Sequence, residues 1–118
     1  MHLFHDALVS FAERRVISMN SIKERIDEIH NGSVKAIMDG ITSSSPIEFL
    51  NAMIFGTRLG IDNAKFIESV KNAENNETVM MGVQISEFAK ASLDILGIKE
   101  YRGDEKRIKD MIESKFEF

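Results

Sequence analysis

Apolar residues recur at three- and four-residue spacing along most of the chain, and single glycines interrupt the pattern. That combination confines the fold to short amphipathic helices joined by tight turns. Leu3, Phe4, Ala7, Leu8 and Phe11 share one face of a first helix beginning near residue 2. Ile22, Ile26 and Ile29 continue the stripe, and a capping box of Ser21 with Glu24 predicts a kink or break near 18–21. Asn31-Gly32 ends that helix, because glycine adopts the left-handed cap conformation without a Cβ penalty. A short segment over 34–41 follows.

Thr42-Ser43-Ser44-Ser45-Pro46 is the clearest connector, dividing an N-terminal helical hairpin from the C-terminal helices. It also starts a helix, with Ser45 as N-cap, Pro46 in the first turn and Glu48 completing a capping box. That helix runs to about residue 59, with Gly60 as its stop. Asp62 is expected to cap a helix over about 63–73, whose apolar face is Phe66, Ile67, Val70 and Ala73. A polar stretch over 74–77 precedes a long helix over about 78–96, ended by Gly97. Arg102-Gly103-Asp104 supplies a turn and a cap for a last helix, 105–116, through Ile108, Ile112 and Phe116. No stretch alternates with period two, so the expected fold is all-α. It is a single domain over 1–118, a compact bundle of about five to six helices.

Helical geometry indicates which helix is central. Over 78–96, Glu87, Lys90 and Asp94 share one sector, while Met80, Met81, Ile85, Phe88, Ala89, Ala91, Leu93, Ile95 and Leu96 occupy the rest. A helix apolar nearly all round is covered by several neighbours, which makes 78–96 the expected hub. The helix over 46–59 is also broadly apolar. Its polar sector holds Glu48, Asn51 and Arg58, with Phe55 in the middle, and Ala52, Gly56 and Gly60 form a small-residue groove.

Composition excludes several classes. With no cysteine, the chain has no disulfide, thiolate metal site or cysteine nucleophile. Its uncharged apolar stretches fall far short of the roughly 20 residues a membrane span needs. Asp6 and Glu13 interrupt the N-terminal segment, so no secretory signal is expected and a cytoplasmic location is. The net charge of −4, with no basic block, disfavours nucleic acid without excluding it and gives no signal for anionic lipid.

Three motifs carry possible chemistry. Phe55-Gly56-Thr57-Arg58-Leu59-Gly60-Ile61-Asp62-Asn63-Ala64-Lys65-Phe66 resembles the helix-turn-helix of many DNA-binding proteins. The likeness rests on small Gly56, turn Gly60 between Leu59 and Ile61, and apolar Phe66 and Val70 in the second helix. It implies a regulator that uses 56–73 to read DNA through Asn63, Lys65 and Asn72, with Glu68 in the middle of that face. Arg25 and His30 match the Arg-x4-His spacing of the HEPN ribonuclease family, which implies acid–base work by His30 and phosphorane stabilisation by Arg25. On a continuous helix the two lie about 140° apart. His2, His5 and Asp6 have helical spacing but lack the further ligands a metal site requires. No nucleophile elbow or phosphate-cradling loop is present, so no enzyme activity, cofactor or metal is expected.

The apolar excess carries the leading reading. Two broadly apolar helices, seven methionines and Phe55 suggest more apolar surface than the domain hides. The expected function is protein–protein contact, as an adaptor, inhibitor or regulator encoded by a phage or mobile element. Homodimerisation is possible. The expected contact residues are Phe55, Glu48, Asn51, Arg58, Ala52 and Gly56, with helix-turn-helix DNA binding and then the Arg25/His30 ribonuclease as alternatives.

Overall fold

Three helices of this protein end in the same way, and those endings set its topology. The computed structural model describes residues 22–100 and 105–113. Helix α1, described over residues 22–30, stops at Gly32, where Ser33 N–H donates to the Glu28 carbonyl and Gly32 N–H to Ile29. Helix α3, Pro46–Arg58, ends identically through Ile61 to Gly56 and Gly60 to Thr57. Helix α5, Ile85–Ile95, ends through Ile98 to Leu93 and Gly97 to Asp94. These paired bonds satisfy the last helical carbonyls only if the intervening residue is left-handed, and Gly32, Gly60 and Gly97 have φ of 82°, 69° and 75°. The expected stops are all in place.

The remaining helices are α2, Val34–Gly40, α4, Ala64–Asn72, and α6, Glu105–Glu113. A 3-10 turn, Ala73–Asn75, follows α4. Caps differ in two places from expectation. At α3 the Ser45 side chain makes no cap bond, and Glu48 does not reach back to the Ser45 N–H, which goes to Ser43 Oγ while the carboxylate takes Arg25 and Ser43. At α4 the cap is Asn63, whose side chain accepts the Lys65 N–H at 2.9 Å, rather than Asp62.

The larger correction concerns residues 78–84. The fold is mostly helical but not all-α, since Val79–Met80 and Val83–Gln84 form a short antiparallel pair, β1 and β2. Met81 and Gly82 turn between them with φ of 56° and 76°, the backbone of a two-residue type I′ hairpin. Helix α5 therefore starts at Ile85. Its first free N–H groups are taken up by the approach to the hairpin: Ile85 donates to the Thr78 carbonyl and Ser86 to Asn76, each at 2.8 Å. Met81, expected in the hub, is half exposed at the tip.

Burial is shared between two helices rather than gathered on one. Helix α5 buries Ile85, Phe88, Ala89, Ala91 and Leu93 and packs against α3, α4 and α6. Helix α3 buries Leu50, Ala52, Met53 and Ile54 and packs against α2, α5 and α6. Two glycines allow the close approaches. A Cβ on Gly40 would stand 2.8 Å from the Ala52 Cβ and 3.0 Å from Ile29, so α1, α2 and α3 converge there. A Cβ on Gly56 would stand 2.3 Å from the Phe66 ring, which is fully buried. The small-residue groove of Ala52 and Gly56 is thus filled by the chain's own α2 and α4. The expected N-terminal helix through Phe11, Ser21 of its capping box, the turn at 102–104 and Phe116 lie outside the described residues.

Gly56→Ala tests this packing. Alanine favours a helix over glycine by about 1 kcal/mol, yet its methyl group must displace the Phe66 ring. Overpacking of this kind costs about 1–3 kcal/mol. The substitution should lower the denaturant midpoint; a midpoint that rises would show that the ring yields freely.

Candidate functional site

The polar sector of α3 is where the expected contact residues meet structural fact. Glu48, Asn51, Phe55 and Arg58 lie on one face of the helix, because i, i+3, i+7 and i+10 return to the same side. That face is not open. Glu48 is 2% exposed and Asn51 fully buried. Arg25 of α1 donates from Nε to Glu48 Oε2 at 3.0 Å, and Ser43 of the connector donates to Oε1 at 3.0 Å. Ser43 Oγ in turn accepts the Ser45 N–H at 3.1 Å. The buried carboxylate therefore has both oxygens occupied, the condition under which a buried charge is tolerated.

Asn51 is satisfied one turn further along. Its amide nitrogen donates to the Ile47 carbonyl at 2.7 Å, which turns Oδ1 towards His30 Nε2 at 2.6 Å. With that orientation the histidine must donate, so Nε2 carries the proton. The imidazole then stacks on Phe55, with ring centroids 4.6 Å apart and planes inclined by 20°. Arg58 also lies over Phe55, its Cζ 4.7 Å from the ring centroid. The same guanidinium donates to the last carbonyls of α6, at Ile112 through Nε and at Met111 through a terminal nitrogen at 3.2 Å. It thus ties α3 to two carbonyls of α6. Burial pushes the Arg58 pKa below its ordinary value.

The face read as open to a partner is accordingly covered within the chain. Phe55 and Arg58 are half-buried, and Ala52 and Gly56 are buried completely under α2 and α4. Arg25 and His30 both reach α3 despite their angular separation, but each meets a different neighbour, Glu48 or Asn51. They bond to protein rather than converge on a space where a phosphodiester could sit. Among the helix-turn-helix residues, Asn63, Lys65 and Asn72 are exposed, Glu68 lies exposed between them, and Asn63 Oδ1 is committed to the α4 cap. His2, His5 and Asp6 lie outside the described residues, among which no group of three or more His, Asp or Glu could hold a metal. Among those same residues no helix is long and apolar enough to cross a membrane.

Two concave surfaces escaped the sequence reading. One, of about 410 Å³, lies where the 42–46 connector faces the end of α4. Thr42, Ser43, Ser44, Ser69, Asn72 and Asn76 give it a neutral polar lining, with Phe49 and Pro46 beside them. The other, of about 600 Å³, lies between the C-terminal ends of α3 and α5. Leu59, Ile67, Ile95, Leu96 and Ile98 line it together with polar Thr57, Arg58 and Asp62. Leu59 and Ile98 remain 54% and 40% exposed, although each directly adjoins a glycine stop. Leu59 and Ile98 come together only because α3 and α5 end side by side, which no local pattern shows. Comparison with family models, with curated proteins and with solved structures gives no match.

Removing the Arg58 side chain should loosen α6 specifically. Arg58→Ala removes the hydrogen bonds to both carbonyls and the cover over Phe55, a loss of about 1–3 kcal/mol. Arg58→Lys should recover little, since an ammonium lacks the planar fork that serves two acceptors. Amide exchange over α6 is the measurement; full protection of α6 in Arg58→Ala would contradict the assignment.

Proposed function

We propose that this protein acts by protein–protein contact, without chemistry of its own, and that the contact surface is the groove between the ends of α3 and α5. The observation that carries this reading is the pair Leu59 and Ile98, large aliphatic side chains left about half exposed around a concavity that Ile67, Ile95 and Leu96 continue. Contiguous apolar surface of this kind marks an interaction site more often than a scatter of single exposed side chains does. A concavity in which these aliphatics sit beside Thr57, Arg58 and Asp62 suits an amphipathic helix from a partner, its apolar side on the aliphatics and its polar side on the charged rim. The role is that of an adaptor, inhibitor or regulator working in the cytoplasm, and a phage or mobile-element origin fits its size. The α3 face bearing Glu48, Asn51 and Phe55 is not the contact surface in this reading.

A second reading, a helix-turn-helix regulator, draws on the α3–α4 corner. Phe66 seated on Gly56, the left-handed Gly60 and the Asn63 cap together form a tight helix–turn–helix. Lys65, Lys71 and Asn72 are exposed on α4, but Glu68 shares that surface, and phosphate contacts need more positive charge than this.

Leu59→Glu separates these readings. The site is exposed, so the fold should survive with a midpoint changed by less than about 0.5 kcal/mol. Wild-type protein, studied by light scattering and affinity capture, should self-associate or retain a partner that Leu59→Glu loses. A monomeric wild type that captures nothing beyond what the variant captures would overturn the proposal. A DNA mobility shift falling steeply with salt, unaffected by Leu59→Glu, would instead favour the second reading.

A further inference from the structure

Helix α1 is attached to the body on terms unlike those of any other described helix. Of residues 22–30 only Ile29 is fully buried, while α2 buries Ala36 and Ile37, and α3 and α5 each bury several apolar side chains. Ile22 and Ile26 are partly covered beside Ile29, and the directed contacts of the described helix are polar. Arg25, itself 40% exposed, bonds Glu48, and half-buried His30 bonds Asn51 and stacks on Phe55. What lies beneath is polar as well, since Glu48 and Asn51 are the fully covered residues of that α3 face.

This reverses the usual cost of undocking a helix. Lifting α2 or α5 would expose aliphatic core, at about 25 cal/mol for each Å². Lifting α1 returns a carboxylate, a carboxamide, a guanidinium and an imidazole to water, where each recovers hydrogen bonds. Among the described residues of α1 the one fully buried apolar side chain lost is Ile29, seated against Gly40, with Ile22 and Ile26 partly covered. We infer that α1 is a releasable strap, latched by the Arg25–Glu48 and His30–Asn51 pairs, which opens independently of the rest of the domain and uncovers the Glu48–Asn51–Phe55 face of α3. Local openings of this kind occur below the free energy of global unfolding, and structural switches use them. The inference stands apart from the groove at Leu59, which lies at the far end of α3.

Hydrogen exchange followed by mass spectrometry on the full chain tests the strap. In the wild type, amides of residues 26–30 should exchange at least about 10-fold faster than the slowest amides of α3 and α5. Arg25→Ala should accelerate α1 further, because it strands a buried carboxylate, while α3 and α5 keep their protection. Glu48→Gln should have the smaller effect of the two, since it removes the buried charge and keeps an acceptor oxygen for part-exposed Arg25. Equal protection of α1, α3 and α5 in the wild type would overturn the inference. So would an Arg25→Ala protein in which all three lose protection together, or one that no longer folds.

Discussion

The Phe66 ring resting on the bare backbone of Gly56 is the contact on which the rest of this structure depends. It draws α4 against α3 closely enough for both to share one core with α5, and it fixes the direction in which the chain leaves the Gly60 turn. Glycine within a helix is a local disadvantage of about 1 kcal/mol relative to alanine. Burying a phenylalanine returns about 1.5–3 kcal/mol, so the exchange favours glycine. Gly40 works the same way on the other side of α3, admitting Ala52 and Ile29. With one side of α3 closed by α2 and another by α4 and α5, its remaining face must meet α1 and the end of α6.

That remaining face explains an otherwise odd composition. A fully covered helix surface would ordinarily be aliphatic, yet this one carries Glu48 and Asn51, each matched by a polar group from α1 or the connector. Buried polar pairs add little net stability compared with aliphatic packing, but they penalise any mismatched register. Here they set how α1 sits along α3, with Arg25 opposite Glu48 and His30 opposite Asn51. Arg58 does the corresponding work for α6 by holding two of its last carbonyls while lying over Phe55. Ser92 is the exception, a buried hydroxyl in α5 for which the described structure supplies no hydrogen-bond partner.

Much of the helical architecture is legible from residue order, because its signals are local. Gly32, Gly60 and Gly97 end helices for a backbone reason that needs no tertiary context, and Pro46 starts one for the same kind of reason. The hairpin at 79–84 was misread because Met80, Met81, Val83 and Ile85 fit a helical wheel as well as they fit strands. The distinguishing signal was Gly82 between two valine-containing pairs, with Met81 in a left-handed conformation that usually favours asparagine or glycine. The α3 polar sector shares one face, as its spacing requires, and Glu48 and Asn51 on that face point inward. Charge and amide groups predict exposure only when no partner lies within the chain, and Arg25 and His30 are separated from theirs by more than twenty positions. The groove at Leu59 required knowing that α3 and α5 end side by side, which no local pattern encodes.

The most direct test of the central packing claim is a double-mutant cycle between Gly56→Ala and Phe66→Leu, read by equilibrium denaturation. Phe66→Leu alone leaves a void over Gly56, and the added methyl group of Gly56→Ala should partly fill it. The double variant is therefore expected to be more stable than the sum of the single losses by about 1 kcal/mol or more. Losses that add to within about 0.5 kcal/mol would mean that the ring and the glycine do not constrain each other.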